Sequence, residues 1–417
     1  MSINPTLHRC SKILLKSVGV SLLLGYFLGA SAYAAEDLSD ILSKNQNLLF
    51  DYELRKNDAQ SDKLQRSWIN PIMLRYNRDY SEQFGDKTIK TGSFSVSINQ
   101  PIFKSGGIYY AIKYADALRG ANAVQIALKK RQMITNAVKL LFEIKKSTLQ
   151  IKKLTYQIKK DEIEIRQKRE SYEAGLIDSS FLDQALLKKN QDEASLVERQ
   201  IAKAELEEKF ALLSDKNPHT LKLPKLTLLD KNSYRQKNLE LKRDRLKSVQ
   251  EAYHAKMTWA KYLPTLSVHA RYNDEDINPL FARTGSGLKE KYRTYGFTLS
   301  MPLDINMFAD TEASKVSALK AETEVIERQK QIDKEYHLLQ KKLTVIDKKI
   351  ALAKKNEALY RNLYRLTKNL AKAGEKTKYD TRVMYLSLQI KKLDQQIYRL
   401  DRQIELLKLY AKVKDAI

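Results

Sequence analysis

The sequence has few residues of the kinds that interrupt long helices and strands. Among its 417 residues, 13 are glycine and 8 are proline, less than half of the average usage of each. Because glycine and proline mark most turns, this composition excludes a chain built from many short elements. It predicts a few long elements joined by a small number of turns.

Cysteine is almost absent, and its one occurrence, Cys10, lies in a segment typical of a secretory signal peptide. An apolar run over 18–30 is followed by an Ala-Tyr-Ala cleavage pattern at 32–34. The run is preceded by three basic residues, Arg9, Lys12 and Lys16. We predict a signal peptide over 1–35. The alternative, a membrane anchor, needs ~20 apolar residues, more than this run provides.

Removal of the signal peptide would leave no cysteine, which excludes disulfides and thiol chemistry. Since Cys10 is not at the cleavage point, lipidation is not expected.

Long apolar runs are missing too, because no segment after residue 35 approaches the ~18 uninterrupted apolar residues of a membrane-spanning helix. A β-barrel is then the only structure that could carry the chain through a bilayer.

Acidic residues are outnumbered, with 50 Asp and Glu against 75 Lys and Arg. Loss of the three basic signal residues lowers the formal charge from +25 to +22, because residues 1–35 contain no acidic residue. In an intracellular protein this balance would indicate nucleic acid as a partner. Predicted export argues against that partner, and we expect solvated, lysine-rich helix surfaces instead.

Long helices are predicted where apolar residues recur near the 3.5-residue spacing of a coiled-coil seam. A helix over about 108–174 would be roughly 100 Å long, and after Gly175 a second helix, about 179–213, returns along it. The first seam comprises Ala137, Leu141, Ile144, Thr148, Ile151, Leu154 and Ile158. Matching seams in the second half comprise Ile332, Tyr336, Leu339, Leu343, Ile346, Ile350 and Ala353, then Leu386, Ile390, Leu393, Ile397, Leu400, Ile404, Leu407 and Ala411.

Four short segments alternate apolar and polar residues instead, as in "SFSVSIN" from residue 93 and "TLSVHARYN" from residue 265. This alternation predicts β-strands at about 69–80, 91–100, 264–274 and 293–302. A helix over 36–67 precedes the first strand, and a medium helix over 233–262 precedes the third.

The two halves of the chain repeat one pattern. Pro101 and Pro302 stand 201 residues apart, and Gly175 and Gly374 stand 199 apart. We predict two structural repeats, 36–222 and 223–417, each with two strands and a long helical hairpin. The hairpins are expected at about 107–213 and 306–416.

The apolar faces of the strands need a cover that this chain does not provide. A soluble sheet with one buried face also alternates, but no other sequence here could bury these faces. Four strands cannot close a barrel, since transmembrane barrels need about eight or more, and open edges cannot face lipid. Several chains must therefore share one barrel. The predicted lipid-facing residues are Phe94, Val96, Ile98, Leu266, Val268, Phe297 and Leu299.

The passage from strand to helix is predicted at a proline in each half and at a glycine pair in the first. Proline lacks a donor N–H and fits the end of a strand, and paired glycines let the chain turn into the helix. These junction residues are Pro101, Gly106, Gly107 and Pro302.

These segments resemble the TolC-like outer-membrane efflux proteins across essentially the whole chain after residue 35. The resemblance rests on the strand ends "SINQPIFKSGG" and "TLSMPLDINMF", on "KYLPTLSVHARYN", and on the turns "YEAGLIDSSFLDQAL" and "AKAGEKTKYDTRV". It implies a mainly α fold with four strands per chain, and a homotrimer in which twelve strands form a barrel in the outer membrane. A tunnel of helices would extend into the periplasm.

Such a protein is the exit duct of a tripartite efflux or type I secretion system. The resemblance implies three kinds of partner, namely a periplasmic adaptor (membrane fusion) protein, an inner-membrane transporter and outer-membrane lipid. It implies neither catalysis nor a cofactor. Porin-like, passive conduction is the expected activity.

The resemblance also suggests site residues at the two helical turns. The periplasmic tips, which meet the adaptor or pump in the family, fall at Ala174, Gly175, Leu176, Ala373 and Gly374. The periplasmic gate falls at Lys376 and Asp380, whereas Val383 occupies the position of a second gate aspartate. Plain helix-turn glycines and a solvated salt bridge are the alternatives for these positions.

No catalytic or metal site is predicted. The histidines after residue 35 are scattered without metal-ligand spacing, and "GSGLK" at 285–289 lacks the strand and helix of a phosphate-binding loop. Two other functions remain open, namely a periplasmic coiled-coil adaptor or scaffold, and a basic coiled coil that binds nucleic acid. In an adaptor or scaffold, the strands would form a small soluble domain. A nucleic-acid-binding coiled coil requires that residues 1–35 resemble a signal peptide only by chance.

Overall fold

The computed structural model describes residues 40–82, 88–276 and 290–414, all within a unit spanning Glu36–Ile417. In chain order it has a helix, two strands, four helices, two strands and two helices. These elements are α1 (Lys44–Gln65), β1 (Met73–Ser81), β2 (Ile89–Phe103), α2 (Gly107–Glu173), α3 (Ser179–Ala211), α4 (Lys231–Gln236), α5 (Leu239–Ala260), β3 (Thr265–Glu275), β4 (Lys291–Ser300), α6 (Met307–Lys372) and α7 (Lys378–Tyr410). The predicted mainly helical fold with four strands is confirmed. The "GSGLK" segment lies outside the described residues.

The four strands form one antiparallel sheet in the order β1-β2-β3-β4. Directly paired residues include Leu74 with Val96, and Val268 with Phe297. Because paired side chains project to the same side of a sheet, the register defines two faces. The apolar face carries Leu74, Tyr76, Phe94, Val96, Ile98, Leu266, Val268, Ala270, Tyr272, Tyr295, Phe297 and Leu299, and the polar face carries Arg75, Asn77, Ser93, Ser95, Ser97, Asn99, Ser267, His269, Arg271, Asn273, Thr294 and Thr298.

The helices form two long antiparallel hairpins, α2 with α3 and α6 with α7. Helix α2 has 67 residues and α6 has 66, while α3 and α7 have 33 each. None of the described helices has an apolar stretch long enough to cross a membrane.

The two hairpins lie side by side through α2 and α7, which run antiparallel. Lys146 pairs with Asp401 and Lys153 with Asp394, each at 2.6 Å. Near the turns, the Tyr379 hydroxyl donates to the Glu170 carboxylate at 3.2 Å. Both turns therefore lie at the same end of the protein, away from the sheet.

The largest buried core lies midway along the long helices. It includes the predicted seam residues Ala137, Leu141, Ile144, Ile332, Tyr336, Leu339, Leu343 and Leu407. Residues of α1, α4 and the segment after α3 complete it, among them Phe50, Leu226 and Tyr234. The predicted seam residue Thr148 is exposed, and its hydroxyl donates to the Ile144 carbonyl at 2.9 Å.

The medium helix predicted over 233–262 is interrupted, and the observed elements are α4 and α5. Asn238 lies in an extended conformation between them and caps α5 by accepting a hydrogen bond from the Leu241 N–H at 3.1 Å. It also forms a β-bridge with Val413, and the Leu239 N–H donates to the Lys412 carbonyl at 2.8 Å. These contacts to the distant end of the chain produce a break that local periodicity does not signal.

Candidate functional site

The apolar face of the sheet is uncovered in the single chain. No described helix packs against it, and Phe297, Leu299 and Leu74 are 76%, 68% and 69% exposed. All seven residues predicted to face lipid lie on this face. Soluble proteins rarely leave so large a continuous apolar surface in water, so another molecule must cover it. Contact with lipid itself stays a prediction.

The polar face presents hydroxyl, amide and basic side chains. Serines dominate on β2, and Arg75, His269 and Arg271 supply the basic groups on β1 and β3. Asn99, His269 and Arg271 line a shallow depression on this face. An amphipathic sheet of this kind can separate an apolar environment from an aqueous one.

The first strand-to-helix junction is fixed by positive φ angles and a cross-link. Ser105 has φ +48° and Gly106 has φ +85°, a region that glycine adopts without strain. The Ser105 hydroxyl donates to the Pro264 carbonyl at 2.7 Å, which joins this junction to the start of β3. A Cβ on Gly107 would lie 3.4 Å from that of Ala260, an ordinary van der Waals contact, so the backbone geometry of this junction requires glycine at Gly106 and not at Gly107.

The prediction that the second strand, about 91–100, ends at Pro101 is wrong, since β2 continues to Phe103. Pro101 still pairs with Ser267, but the register shifts between Pro101 and Phe103. Proline cannot donate to the ladder and is tolerated in sheets at such irregularities. In the second half, β4 ends at Ser300, and Pro302 lies beyond it.

The second junction uses polar side chains where the first uses glycine. The Asp304 carboxylate accepts a hydrogen bond from the Asn306 N–H at 2.8 Å. Asp310, in the first turn of α6, accepts from the Tyr262 hydroxyl and lies 3.8 Å from the Lys261 ammonium. The end of α5 is therefore tied to the start of α6.

The two turns far from the sheet share one geometry. Gly175 and Gly374 have φ +71° and +82°, and a Cβ on either would meet nothing within 4 Å. The N–H groups of Leu176 and Glu375 donate to carbonyls five residues earlier, both at 2.9 Å, as in a Schellman turn. Leu176 is 76% exposed. The first tip therefore presents an apolar side chain to solvent, and the second presents Glu375 at the matching position. The adaptor contact of both tips stays a prediction.

Asp380 has a local structural role that the sequence analysis missed. It is the third residue of α7, and its carboxylate accepts from the Thr377 N–H at 3.0 Å and the Thr377 hydroxyl at 2.8 Å. The Asp380 N–H donates to the same hydroxyl at 3.1 Å, which completes a capping box. These hydrogen bonds lower the pKa of the Asp380 carboxyl. The signal was present in the sequence as Thr followed three residues later by Asp.

Lys376 is exposed and forms no ion pair with Asp380 in the described part of the chain. Its charge contributes to the lowered pKa of Asp380 after the hydrogen bonds from Thr377. The gate role of both residues stays a prediction.

Two exposed stripes on the hairpins also escaped the sequence analysis, although a heptad search on the outer faces would have found them. The α6 stripe repeats every seven residues and comprises Leu338, Val345, Leu352, Leu359 and Leu366, each more than half exposed. The α3 stripe comprises Leu187, Ala194, Val197, Ile201 and Ala204, also exposed. Both lie opposite the seams that pack within the chain, so each helix has a second face suited to a helical partner.

Metal chemistry has no support in the geometry. Among the described residues, no group of three or more histidine, cysteine and acidic side chains is placed to hold a metal ion.

Solved structures with a similar fold include outer-membrane proteins. The outer membrane protein VceC of Vibrio cholerae matches with a TM-score of 0.71 and 13% identity, over 90% of this chain and 95% of that one. The CmeC outer membrane channel of Campylobacter jejuni matches at 0.70 and 14%, over 90% and 84%. The open state of the Neisseria gonorrhoeae MtrE outer membrane channel matches at 0.62 and 12%, over 90% and 88%.

No protein-family model and no curated protein sequence matches the chain. At identities this low, the structural likeness establishes the fold. Because the likeness extends over nine-tenths of the chain and over both hairpins and the sheet, the chain has the fold of the TolC-like outer-membrane channels.

Proposed function

We propose that this protein is an outer-membrane exit duct that extends into the periplasm and conducts substrates passively from an inner-membrane transporter and its periplasmic adaptor. The observation that carries the proposal is the four-stranded sheet whose apolar face no part of the described chain covers. Lipid is the cover that fits this face, since apolar and polar residues alternate along every strand as they do in membrane barrels.

The sheet also has two open edges, β1 and β4. Unpaired backbone groups at an edge cannot face hydrocarbon, so each edge needs another strand. If β4 of one copy pairs with β1 of the next, three copies give twelve strands, well above the smallest transmembrane barrels of about eight. Homotrimerisation, which the resemblance implies, therefore satisfies both edges, and lipid around the closed barrel would cover the apolar face.

The helices support the same assembly. Contacts within the chain place α3, α2, α7 and α6 side by side in that order toward the turns. The two helices at the ends of this row, α3 and α6, are those with the exposed heptad stripes. Packing the α6 stripe against the α3 stripe of the next copy would continue the row into a closed ring, which is the tunnel of the proposed duct.

Charge favours this pairing of stripes. Six exposed lysines flank the α6 stripe, Lys341, Lys342, Lys348, Lys349, Lys354 and Lys355. In the described part of the chain none of them is within 4 Å of a carboxylate, since the nearby acidic residues Asp347 and Glu357 pair with Arg402 and Arg361. Exposed glutamates lie along the α3 stripe, at Glu193, Glu198, Glu205 and Glu208.

The two sets of charges lie at matching heights above the turns. Lys348 is 26 residues before Gly374, and Glu198 is 23 residues after Gly175. At 1.5 Å per residue, about 5 Å of helix separates the two levels, which is within reach of lysine and glutamate side chains. Because both turns lie at the same end of the protein, these residues would meet across the interface between copies.

Cell fractionation tests the proposal. We expect the protein to remain with outer membranes through salt and alkaline washes, to be released by detergent, and to give discrete conductance steps in planar bilayers. Recovery as a soluble, non-conducting oligomer would contradict the duct and favour a periplasmic scaffold. Cross-linking in cells, with the exposed tip residue Leu176 replaced by a photoreactive amino acid, would then identify the adaptor and transporter and separate efflux from type I secretion.

A further inference from the structure

Two arginines lie close together on the polar face of the sheet. Arg271 of β3 pairs with Ser97 and with Thr294, and Arg75 of β1 pairs with Ser95. Their pairing partners on β2 are two residues apart, so the arginines occupy consecutive rungs of the polar face, about 7 Å apart along the strands. Strands β1 and β3 flank β2, which places the arginines about 10 Å apart across the sheet.

No carboxylate neutralises them. In the part of the chain that the structure describes, Arg75 and Arg271 form no ion pair. Lys291 and Asp274 pair at 3.2 Å, at the far end of the sheet from the helices. The carboxylates of the polar face, Asp79, Glu275 and Glu290, lie on the side of the arginines away from the helices. Glu275 pairs with Ser93, one rung from the level of Arg75 and about 7 Å from it along the strands. Glu275 also accepts a hydrogen bond from the Tyr292 hydroxyl.

A histidine on the helix side of the arginines adds a third basic group. His269 pairs with Asn99 on one side and Gly296 on the other. A Cβ on Gly296 would lie 3.0 Å from ring atoms of His269, so the glycine makes room for the imidazole to lie across β4. A glycine inside a strand often marks such a close approach.

We infer that Arg75, Arg271 and His269 form a basic belt that makes the barrel selective for anions, so that the cargo is of anionic chemical class. This inference rests on the proposed duct, because three copies would bring six guanidinium groups to two neighbouring rungs of the lumen. Arginine stays protonated at all working pH values and binds carboxylate or phosphate groups through two parallel hydrogen bonds. The small serine side chains beside the arginines leave that level open to solutes.

The belt favours anions, whereas the single acidic residue of the predicted gate near the tips, Asp380, would favour cations. Asp380 contributes one carboxylate per copy, whereas the belt contributes two permanent cations per copy. Charges of one sign that line a water-filled passage concentrate counter-ions, so the belt favours anions at the helix side of the barrel, where the described polar face carries no carboxylate.

The test is the chloride-to-potassium permeability ratio, obtained from the reversal potential in planar bilayers under a potassium chloride gradient. We expect the wild type to favour chloride. In the double variant Arg75→Ser with Arg271→Ser, the ratio should fall by about tenfold. The matched control is Arg78→Ser with Arg293→Ser, which removes the same charge from the opposite face of the sheet, on β1 and β4, and should leave the ratio unchanged.

The outcomes distinguish this inference from the proposed function. Conductance that favours potassium in the wild type, or a ratio that the Arg75 and Arg271 substitutions leave unchanged, would overturn the basic belt while the duct stands. Absence of conductance from membrane-inserted wild type would overturn the duct itself. An equal fall in both double variants would show that overall charge, and not the belt, determines the ratio, and would also overturn the inference.

Discussion

At the scale of single residues, the two tip glycines are required by backbone geometry and not by lack of space. Gly175 has φ +71° with nothing within 4 Å of the place where a Cβ would lie. An L residue in the left-handed region is strained by about 1–2 kcal/mol, and asparagine tolerates that region better than alanine. Gly175→Ala should therefore weaken the Schellman turn more than Gly175→Asn does.

Hydrogen exchange of the Gly175 and Leu176 amides measures this effect. We expect exchange to accelerate roughly 5- to 30-fold in the alanine variant and less in the asparagine variant. The Gly374 turn serves as an internal control, since it has the same geometry and is not altered. Equal protection in wild type and both variants would show that the turn does not depend on its left-handed residue.

The predicted gate at Asp380 must be separated from the capping box that the same carboxylate completes. Gln at the third helical position also supports a capping box, so Asp380→Gln removes the charge and retains the cap. Thr377→Ala retains the charge and removes the cap, at a cost of about 1 kcal/mol. If the charge closes the entrance, only Asp380→Gln should raise conductance or antibiotic leakage.

A rise in Thr377→Ala alone would assign the effect to the helix start instead. The pH dependence gives a further check, because hydrogen bonds from Thr377 lower the pKa of Asp380. At pH values above the ordinary aspartate pKa of about 3.9, the cap stabilises α7 to its full extent. This stabilisation is lost as the pH falls through the lowered pKa that Asp380 has in the folded protein. Exchange of the Thr377 and Asp380 amides should accelerate over that acid range in wild type and not in Asp380→Gln.

At the scale of elements, neighbouring positions of one strand face opposite environments. Val96 lies on the apolar face and Ser97 on the polar face of β2. A lysine at the lipid-facing midplane of a membrane barrel costs about 2–4 kcal/mol, whereas lumen substitutions cost little. Val96→Lys should reduce the amount of protein assembled in the outer membrane, and Ser97→Lys should not.

Quantification of membrane-assembled protein in the two variants checks this assignment. The substitutions introduce the same side chain one residue apart, so expression and charge are matched. Equal loss in both variants, or greater loss with Ser97→Lys, would show that the apolar face does not contact lipid.

Alternation and heptad spacing were enough to predict the sheet faces and the long helices, because both patterns follow directly from the geometry of regular elements. The details that escaped prediction depend on contacts between distant residues or on irregular backbone. Asn238 separates α4 from α5 because it pairs with Val413, which local sequence does not signal. Pro101 lies within β2 because a register shift accommodates it, and Asp380 was assigned by resemblance before its local capping motif was considered.

At the scale of the whole molecule, one chain leaves unsatisfied surfaces on both its sheet and its helices. Neighbouring copies would pair with both edges of the sheet and with the α3 and α6 stripes, and membrane lipid would cover the apolar face. The tandem repeat is supported by the near-equal lengths of corresponding helices, and three copies of two such halves would give adaptors a near-sixfold surface.

The stripes make the contact between copies testable by charge exchange. Lys348→Glu with Lys349→Glu places carboxylates against the acidic α3 stripe and should weaken the trimer, with each altered pair contributing up to about 1 kcal/mol. Adding Glu198→Lys should restore part of the loss. The trimer fraction in detergent at low salt measures both effects, and a loss that Glu198→Lys deepens would contradict the pairing of α6 with α3.

The subunit count of the detergent-released particle tests whether three chains form the proposed barrel. Native mass spectrometry of wild-type protein extracted from outer membranes should give three times the mass of one mature chain, because three sheets are needed for the twelve-stranded barrel. A stable particle of one chain would contradict the account, since its four strands would then face the membrane with open edges.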